Sequence, residues 1–245
     1  MNIRNYKDNA SLLADARRSL LGHLPVAVSG FLLYSVIGLF LNGLPQSFSF
    51  DHPVLNLVVM LAAQFITAVF SSLFGVGLSC IFLNLQYGQQ PHAGDLFVCL
   101  RSSQDTAVRV RGVVTGGELA AVLPIQLLMY FIPQGRTLSW LPVIIIVTIV
   151  CFTAMFVWRF TYAMADFLLL DFPEMGARRI LRAARSMMRG NRIRYLRLML
   201  RILPLHLLTV FSFGLTAMWT GSYQRAAAAA FYRDLLESTA RVPAA

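Results

Sequence analysis

The residues that could carry chemistry in this 245-residue chain are a few ionisable side chains inside or beside long apolar segments: Glu118, Arg159, Asp166, Arg201 and His206. Such groups are costly in lipid, and they often form ion pairs or mark transport pathways. At about 1.5 Å per helical residue, Glu118, Arg159 and Arg201 lie at similar depth toward one side of the membrane. They predict either a structural ion pair between Glu118 and one of the arginines, or a polar vestibule for an anionic or protonatable cargo.

The other ionisable groups have simpler interpretations. Asp166 shares a helical face with Arg159 and is expected in the headgroup zone, bonded to a loop. His206 has apolar neighbours and no acidic partner at its depth, which favours a hydrogen-bonded structural role over a proton relay. The remaining histidines and the three cysteines lack metal-ligand spacing. We therefore expect no metal site and no cofactor.

A second group of charges is the arginine-rich stretch that follows Asp171. Plotted at about 100° per residue, five of its arginines form one stripe on a helix. They are Arg178, Arg182, Arg185, Arg189 and Arg192. The opposite arc carries Ile180, Leu181, Ala184, Met187 and Met188. With Pro173 early and Gly190 late, the pattern predicts a basic amphipathic helix over 173–190.

This basic helix allows three interpretations. Its charged face could simply be solvated and obey the positive-inside rule. It could contact anionic lipid headgroups, as basic amphipathic helices at a membrane surface do. It could also dock an acidic protein partner.

The elements that must position these residues follow from composition. Only 13% of the residues are charged and 57% are hydrophobic, whereas soluble domains are about 25% charged. Several apolar runs reach the roughly 20 residues needed to cross a bilayer. The sequence predicts an all-α transmembrane bundle in a single membrane domain. The net charge of +10 lies in segments flanking the spans, and no groove-reading motif accompanies it, which disfavours nucleic-acid binding.

We predict about five spans, at residues 24–44, 54–83, 113–132, 141–165 and 198–220, followed by a C-terminal helix over 224–238. The first run is longer than the apolar region of a cleaved signal peptide, so we expect it to be retained. In the second span, Ser71, Gly75 and Ser79 form a small-residue stripe, for which packing within the chain is favoured over dimerisation.

The basic residues of successive connecting segments place the N-terminus and the basic helix in the cytoplasm. From the N-terminal segment to the arginine-rich stretch these segments contain 4, 0, 3, 1 and 7 basic residues, and the richer segments stay inside. With five spans the tail would end outside, although it carries Arg225, Arg233 and Arg241. A tail that folds back, or a sixth crossing, would remove this conflict.

No nucleophile elbow, zinc-protease motif, phosphate-binding loop or dinucleotide turn is present. We therefore expect a protein that is not an enzyme. An intramembrane enzyme would need two carboxylates or a pair of histidines converging in a cleft.

Several short runs resemble one family of bacterial integral membrane proteins, domain of unknown function 975. They are Asp171-Phe-Pro173, Ser186-Met-Met-Arg-Gly-Asn191, Phe231-Tyr-Arg-Asp-Leu235, and the Gly88 loop with Asp95-Leu-Phe97. The resemblance covers about residues 10–238. It implies a location in the bacterial inner membrane, and it carries no catalytic residues.

The leading hypothesis is a non-enzymatic multi-pass inner-membrane protein whose cytoplasmic basic helix acts on anionic lipid, on another membrane protein or on a second copy of itself. The alternative is a transporter component whose polar path includes Glu118, Arg159 and Arg201.

Overall fold

The computed structural model describes residues 6–47, 50, 52–101, 104–132, 137–212 and 216–240. Within these ranges the regular structure is entirely helical. The α-helices are α1 Asn9–Leu20, α2 Leu24–Gly43, α3 Pro53–Gln86, α4 Val98–Arg101, α5 Gln104–Phe131, α6 Thr137–Thr161, α7 Ala165–Asp171, α8 Ala177–Met188, α9 Arg192–Phe211 and α10 Ala217–Ala240. Short 3₁₀ helices occupy Leu44–Ser47 and Ala93–Phe97.

Four segments of the described chain are long and apolar enough to cross a membrane: Leu24–Ser47, Val54–Gln86, Asp105–Phe131 and Ser139–Asp171. They correspond in order to the first four predicted spans. Large apolar side chains such as Leu39, Val58 and Ile146 are exposed on them, as expected of surfaces that face lipid. The predicted all-α transmembrane bundle is confirmed.

The prediction of one continuous fifth span over 198–220 is wrong. The helix that begins it, α9, ends at Phe211, and α10 begins at Ala217. The two helices lie antiparallel, since His206 Nε2 is 3.0 Å from Gln224 Oε1 and Thr209 Oγ1 is 3.1 Å from Thr220 Oγ1. The first half of α9 is rich in arginine, so its apolar part is too short to cross a bilayer.

The N-terminal and C-terminal helices meet at the same end of the bundle. The backbone N–H of Lys7 donates to Asp234 near the end of α10, at 3.1 Å. The end of α3 lies there too, because Gln86 Nε2 donates to Ser19 of α1 at 3.0 Å. We call this region, where α1, α7, the end of α3, the start of α9 and the second half of α10 meet, the polar end; α8 packs against α7 beside it. The tail therefore folds back, as one of the two solutions to the charge conflict required.

Two glycine contacts show how closely α3 is packed. A Cβ on Gly77 would lie 1.9 Å from the backbone oxygen of Leu96, so only glycine allows the 3₁₀ helix to rest on α3 at this point. On another face, a Cβ on Gly75 would lie 3.7 Å from the Tyr34 ring of α2. The small-residue stripe of the second span thus packs within the chain.

Candidate functional site

The arginine-rich helix α8 is fixed to the bundle by one face. Ile180, Ala184 and Met188 are buried in the core, and α8 packs against α5, α6 and α7. Its end is defined by Gly190, whose φ of +87° is the left-handed conformation that glycine adopts without strain. The neighbouring Asn191 side chain donates to the Met187 carbonyl oxygen at 3.0 Å. The helix occupies a shorter range than the predicted 173–190.

Four of the five predicted stripe residues are exposed: Arg178, Arg182, Arg185 and Arg189. The fifth, Arg192, opens α9 and is half-buried. Its Nε is shielded from solvent and has no hydrogen-bond partner in the described part of the chain. Among the ion pairs of the described residues, none involves Arg185 or Arg192. Neither arginine therefore has a counter-ion among the described residues.

An elongated groove of about 610 Å³ runs beside α6. Its wall follows the helix from Ile149 through Val157 to Thr161 and continues to Tyr162, and Arg185 and Arg192 complete it. We call this feature the α6 groove.

Arg192 lies at the C-terminal end of α6, and Arg185 lines the same groove from α8. The first turn of α9 reaches that end, since the rings of Phe160 and Tyr195 have centroids 5.3 Å apart. Arg192 lies three residues before Tyr195. The α6 groove thus combines an apolar length with a cationic end.

Trp158 forms part of the groove wall because α5 leaves room for it. Its indole Nε1 donates to the Val114 carbonyl oxygen at 3.0 Å. A Cβ on Gly117 would lie only 2.1 Å from the indole ring. The ring is therefore held against the backbone of α5 rather than filling the groove.

The predicted intramembrane cluster comes together only in part. Arg159 Nε is 3.9 Å from Glu118 Oε1, so these two form the expected pair, although 65% of the Arg159 side chain is exposed. Arg201 is exposed on α9 and, among the described residues, forms no ion pair with Glu118. None of the three lines the α6 groove or a smaller cavity of about 380 Å³ at the polar end.

The most buried ion pairs were not predicted. Arg111 of α5 pairs with Asp166 of α7, and their side chains are only 14% and 10% exposed. The third span was predicted to begin at residue 113, which left Arg111 outside it, and Asp166 was expected in the headgroup zone. The helix that carries Arg111 in fact begins at Gln104, nine residues before the predicted span. Because the two residues are far apart in sequence, no local spacing indicated the pair.

A second unpredicted pair joins α9 to α10, the antiparallel helices that we call the hairpin, beside the N-terminal segment. Arg194 Nη2 donates to Asp234 Oδ2 at 2.6 Å, and the side chains are 17% and 5% exposed. The Arg194 guanidinium also lies 4.6 Å from the Tyr6 ring centroid and 4.9 Å from that of Phe231. These contacts hold α9, α10 and the N-terminal segment together at the polar end.

Asp171 of α7 links two further elements, α3 and α10, through two phenols. Its Oδ2 accepts hydrogen bonds from Tyr232 at 2.8 Å and from Tyr87 at 3.1 Å. Burial, followed by the nearby Asp171 charge and its hydrogen bond, raises the pKa of Tyr87 to about 12. The pKa of Tyr232 is raised by burial and then by its hydrogen bond to Asp171. Both phenols stay protonated and act as donors that fix the ends of α3, α7 and α10.

The structure also bears on the remaining candidate groups. His206 is hydrogen-bonded to Gln224, in keeping with the structural role expected of it. Cys99 and Cys151 are buried as free thiols. Within the described ranges, no three histidine, cysteine or acidic residues are grouped so that they could hold a metal ion.

The comparisons with known proteins bear on the whole chain. No curated protein and no solved structure matches it. A family model with the description "Protein of unknown function (DUF975)" matches residues 41–239, a range that includes the end of the first apolar span, the other three spans in full and almost all of the α9–α10 hairpin. The chain therefore belongs to the DUF975 family.

Proposed function

We propose that this protein is a non-enzymatic multi-pass protein of the bacterial cytoplasmic membrane that binds anionic lipid headgroups through α8. The observation that carries the proposal is the one-sided exposure of α8. Its arginines Arg178, Arg182, Arg185 and Arg189 are all exposed, whereas its apolar face is buried in the bundle. A rigidly held cationic row beside membrane spans suits the negatively charged inner leaflet.

The expected strength follows from the number of charges. Each arginine near an anionic surface contributes about 1 kcal/mol. Four such residues would favour an anionic over a neutral membrane by up to about 4 kcal/mol at low salt. Because these side chains are exposed, the effect should weaken as the ionic strength rises.

The test uses the full-length chain in a neutral detergent. Ligands that bind the folded state raise the melting temperature, so thermal unfolding is measured with added phosphatidylglycerol or phosphatidylcholine. Phosphatidylglycerol should stabilise the protein more, and this difference should shrink with salt. A variant with Arg178→Gln, Arg182→Gln and Arg189→Gln should lose most of it.

A matched control changes the same number of charges elsewhere. Arg17, Arg18 and Arg109 are exposed and lie outside α8. Their joint replacement by glutamine should leave most of the phosphatidylglycerol effect intact. If both triple variants respond alike, or if the two lipids stabilise the wild type equally, α8 is not a lipid-binding element.

Orientation is tested separately in intact cells. The proposal places α8 on the cytoplasmic side, because the positively charged segments gather at the polar end. Arg182→Cys should therefore resist a membrane-impermeant maleimide applied from outside and react after the cells are opened. Labelling from outside would invert the topology.

A further inference from the structure

We infer that the α6 groove binds a single anionic phospholipid, with an acyl chain along α6 and the phosphate between Arg185 and Arg192. The inference rests on the proposed function, and it names the ligand and the place where one lipid molecule is held. The exposed row on α8 would attract headgroups in general, whereas the α6 groove would select one molecule.

The α6 groove has a length and volume that suit one acyl chain. From Ile149 to Thr161 the wall spans twelve residues, or about 18 Å at roughly 1.5 Å per residue. One leaflet contributes about half of a hydrocarbon core roughly 30 Å thick. The length therefore suits an acyl chain that enters from one leaflet. The groove volume of about 610 Å³ is also within the range of small-molecule sites.

The polar side chains of the α6 wall are already hydrogen-bonded. Thr153 donates to the Ile149 carbonyl oxygen at 2.7 Å, and Thr161 donates to that of Val157 at 2.6 Å. Both hydroxyls are thus satisfied within their own helix. The Trp158 indole N–H is likewise hydrogen-bonded, to the Val114 carbonyl oxygen of α5. The α6 side of the groove therefore presents an acyl chain with few unsatisfied hydrogen-bond donors.

Two cations, Arg185 and Arg192, line the α6 groove. No acidic side chain is among the described residues that line the α6 groove, so Arg185 and Arg192 lack a neutralising partner there. The buried Nε of Arg192 has no hydrogen-bond partner in the described chain, and an unmade bond of this kind is unfavourable. A phosphate supplies acceptor oxygens that match the donors of a guanidinium.

These features together favour a phospholipid over other anions. A free phosphate would neutralise the arginines but leave the apolar length empty. A neutral detergent would fill that length without supplying an anion, and a fatty acid would offer a single carboxylate to two guanidinium groups. The groove lies on α6, which is long and apolar enough to cross a membrane and whose surface is largely exposed, so lipid is the component of its surroundings that provides both parts.

The experiment measures phospholipid bound to the full-length protein by native mass spectrometry, with phosphatidylglycerol added at increasing concentration. The wild type should show one tightly bound molecule before weaker ones. Ala154 is exposed and lines the α6 groove, so Ala154→Phe should block the chain without altering charge. Ile146→Phe is the matched control, since Ile146 is exposed on α6 and does not line the groove.

We expect Ala154→Phe to weaken the first binding step at least tenfold and Ile146→Phe to leave it unchanged. The double change Arg185→Gln and Arg192→Gln should weaken it similarly. Inorganic phosphate at millimolar concentration should not displace the lipid. If Ala154→Phe and Ile146→Phe bind the first lipid equally, the α6 groove is not its site, whatever the arginine variants do.

The two proposals fail in different ways. The variant lacking Arg178, Arg182 and Arg189 should lose the salt-dependent stabilisation by phosphatidylglycerol but keep the single tightly bound molecule. Ala154→Phe should show the reverse. Loss of the tightly bound lipid in the α8 variant would show that the groove does not act as a separate site.

Discussion

Asp234 offers the sharpest test of how the polar end is held together. Its carboxylate accepts from Arg194 at 2.6 Å and from the Lys7 backbone N–H at 3.1 Å. The Arg194 and Asp234 side chains are only 17% and 5% exposed. Asp234→Ala would leave the Arg194 cation buried without its counter-ion. Breaking a buried pair in this way costs about 3–5 kcal/mol, and we expect that loss in the free energy of unfolding.

The chain contains its own control for burial. Lys7 Nζ is 2.9 Å from Asp15 Oδ2, but these side chains are 45% and 32% exposed. Exposed pairs of this kind contribute about 0–1 kcal/mol. Asp15→Ala should therefore cost much less than Asp234→Ala, although both substitutions remove one carboxylate from one ion pair.

Unfolding by sodium dodecyl sulfate in mixed micelles, followed by circular dichroism, measures both costs. Limited proteolysis adds a local readout, because Asp234→Ala should make α10 more susceptible to cleavage. The double change Arg194→Met with Asp234→Leu should cost less than Asp234→Ala alone, since it leaves no unpaired charge. Equal costs for Asp15→Ala and Asp234→Ala would refute the argument that burial decides the strength of these pairs.

Three further predictions follow from single contacts. Gly77→Ala should destabilise the protein by more than about 1 kcal/mol in denaturant titrations, because its Cβ would collide with the backbone of Leu96. Gly112→Ala is the control: its Cβ would have open space around it, so this substitution should be neutral or slightly stabilising. Because the pKa of Tyr87 is raised to about 12, this phenol stabilises the fold fully below about pH 10, and its contribution is lost between about pH 10 and 12. The free energy of unfolding should therefore fall less over that pH range in Tyr87→Phe than in the wild type. An equal fall in both proteins would exclude this phenol as the cause. Arg159→Gln should cost less than Asp234→Ala, because its pair with Glu118 is long at 3.9 Å and 65% of the arginine side chain is exposed, and an equal or larger cost would contradict this expectation.

Much of the helical framework could be predicted because its signals are local. A run of about 20 apolar residues can cross lipid only as a helix, so the first four spans were evident from composition. The bounds of α8 lay within the predicted range because Pro173 and Gly190 limit that helix. Its buried arc, which includes Ile180 and Met188, follows directly from helical periodicity.

The contacts of the polar end could not be predicted in the same way. The pairs Arg111–Asp166 and Arg194–Asp234 join residues 55 and 40 positions apart. Depth along a span suggested which charges could meet, but it could not select partners among several helices. The α6 groove was also missed, because it depends on how α8 and the start of α9 are placed beside α6.

The hairpin of α9 and α10 shows why charge was a better guide to the tail than hydropathy. The stretch 198–220 contains one charged residue, Arg201, and is otherwise as apolar as a membrane span. Its apolar content alone therefore did not reveal that the chain reverses direction. A full fifth crossing would have carried Arg225 and Arg233 to the opposite side. Instead, Arg233 Nη1 donates to the Gln86 carbonyl oxygen at 2.6 Å, a contact possible only if the tail returns to the polar end. With the four candidate spans of the described residues, a returning hairpin keeps these arginines together, which is the arrangement that the positive-inside rule favours.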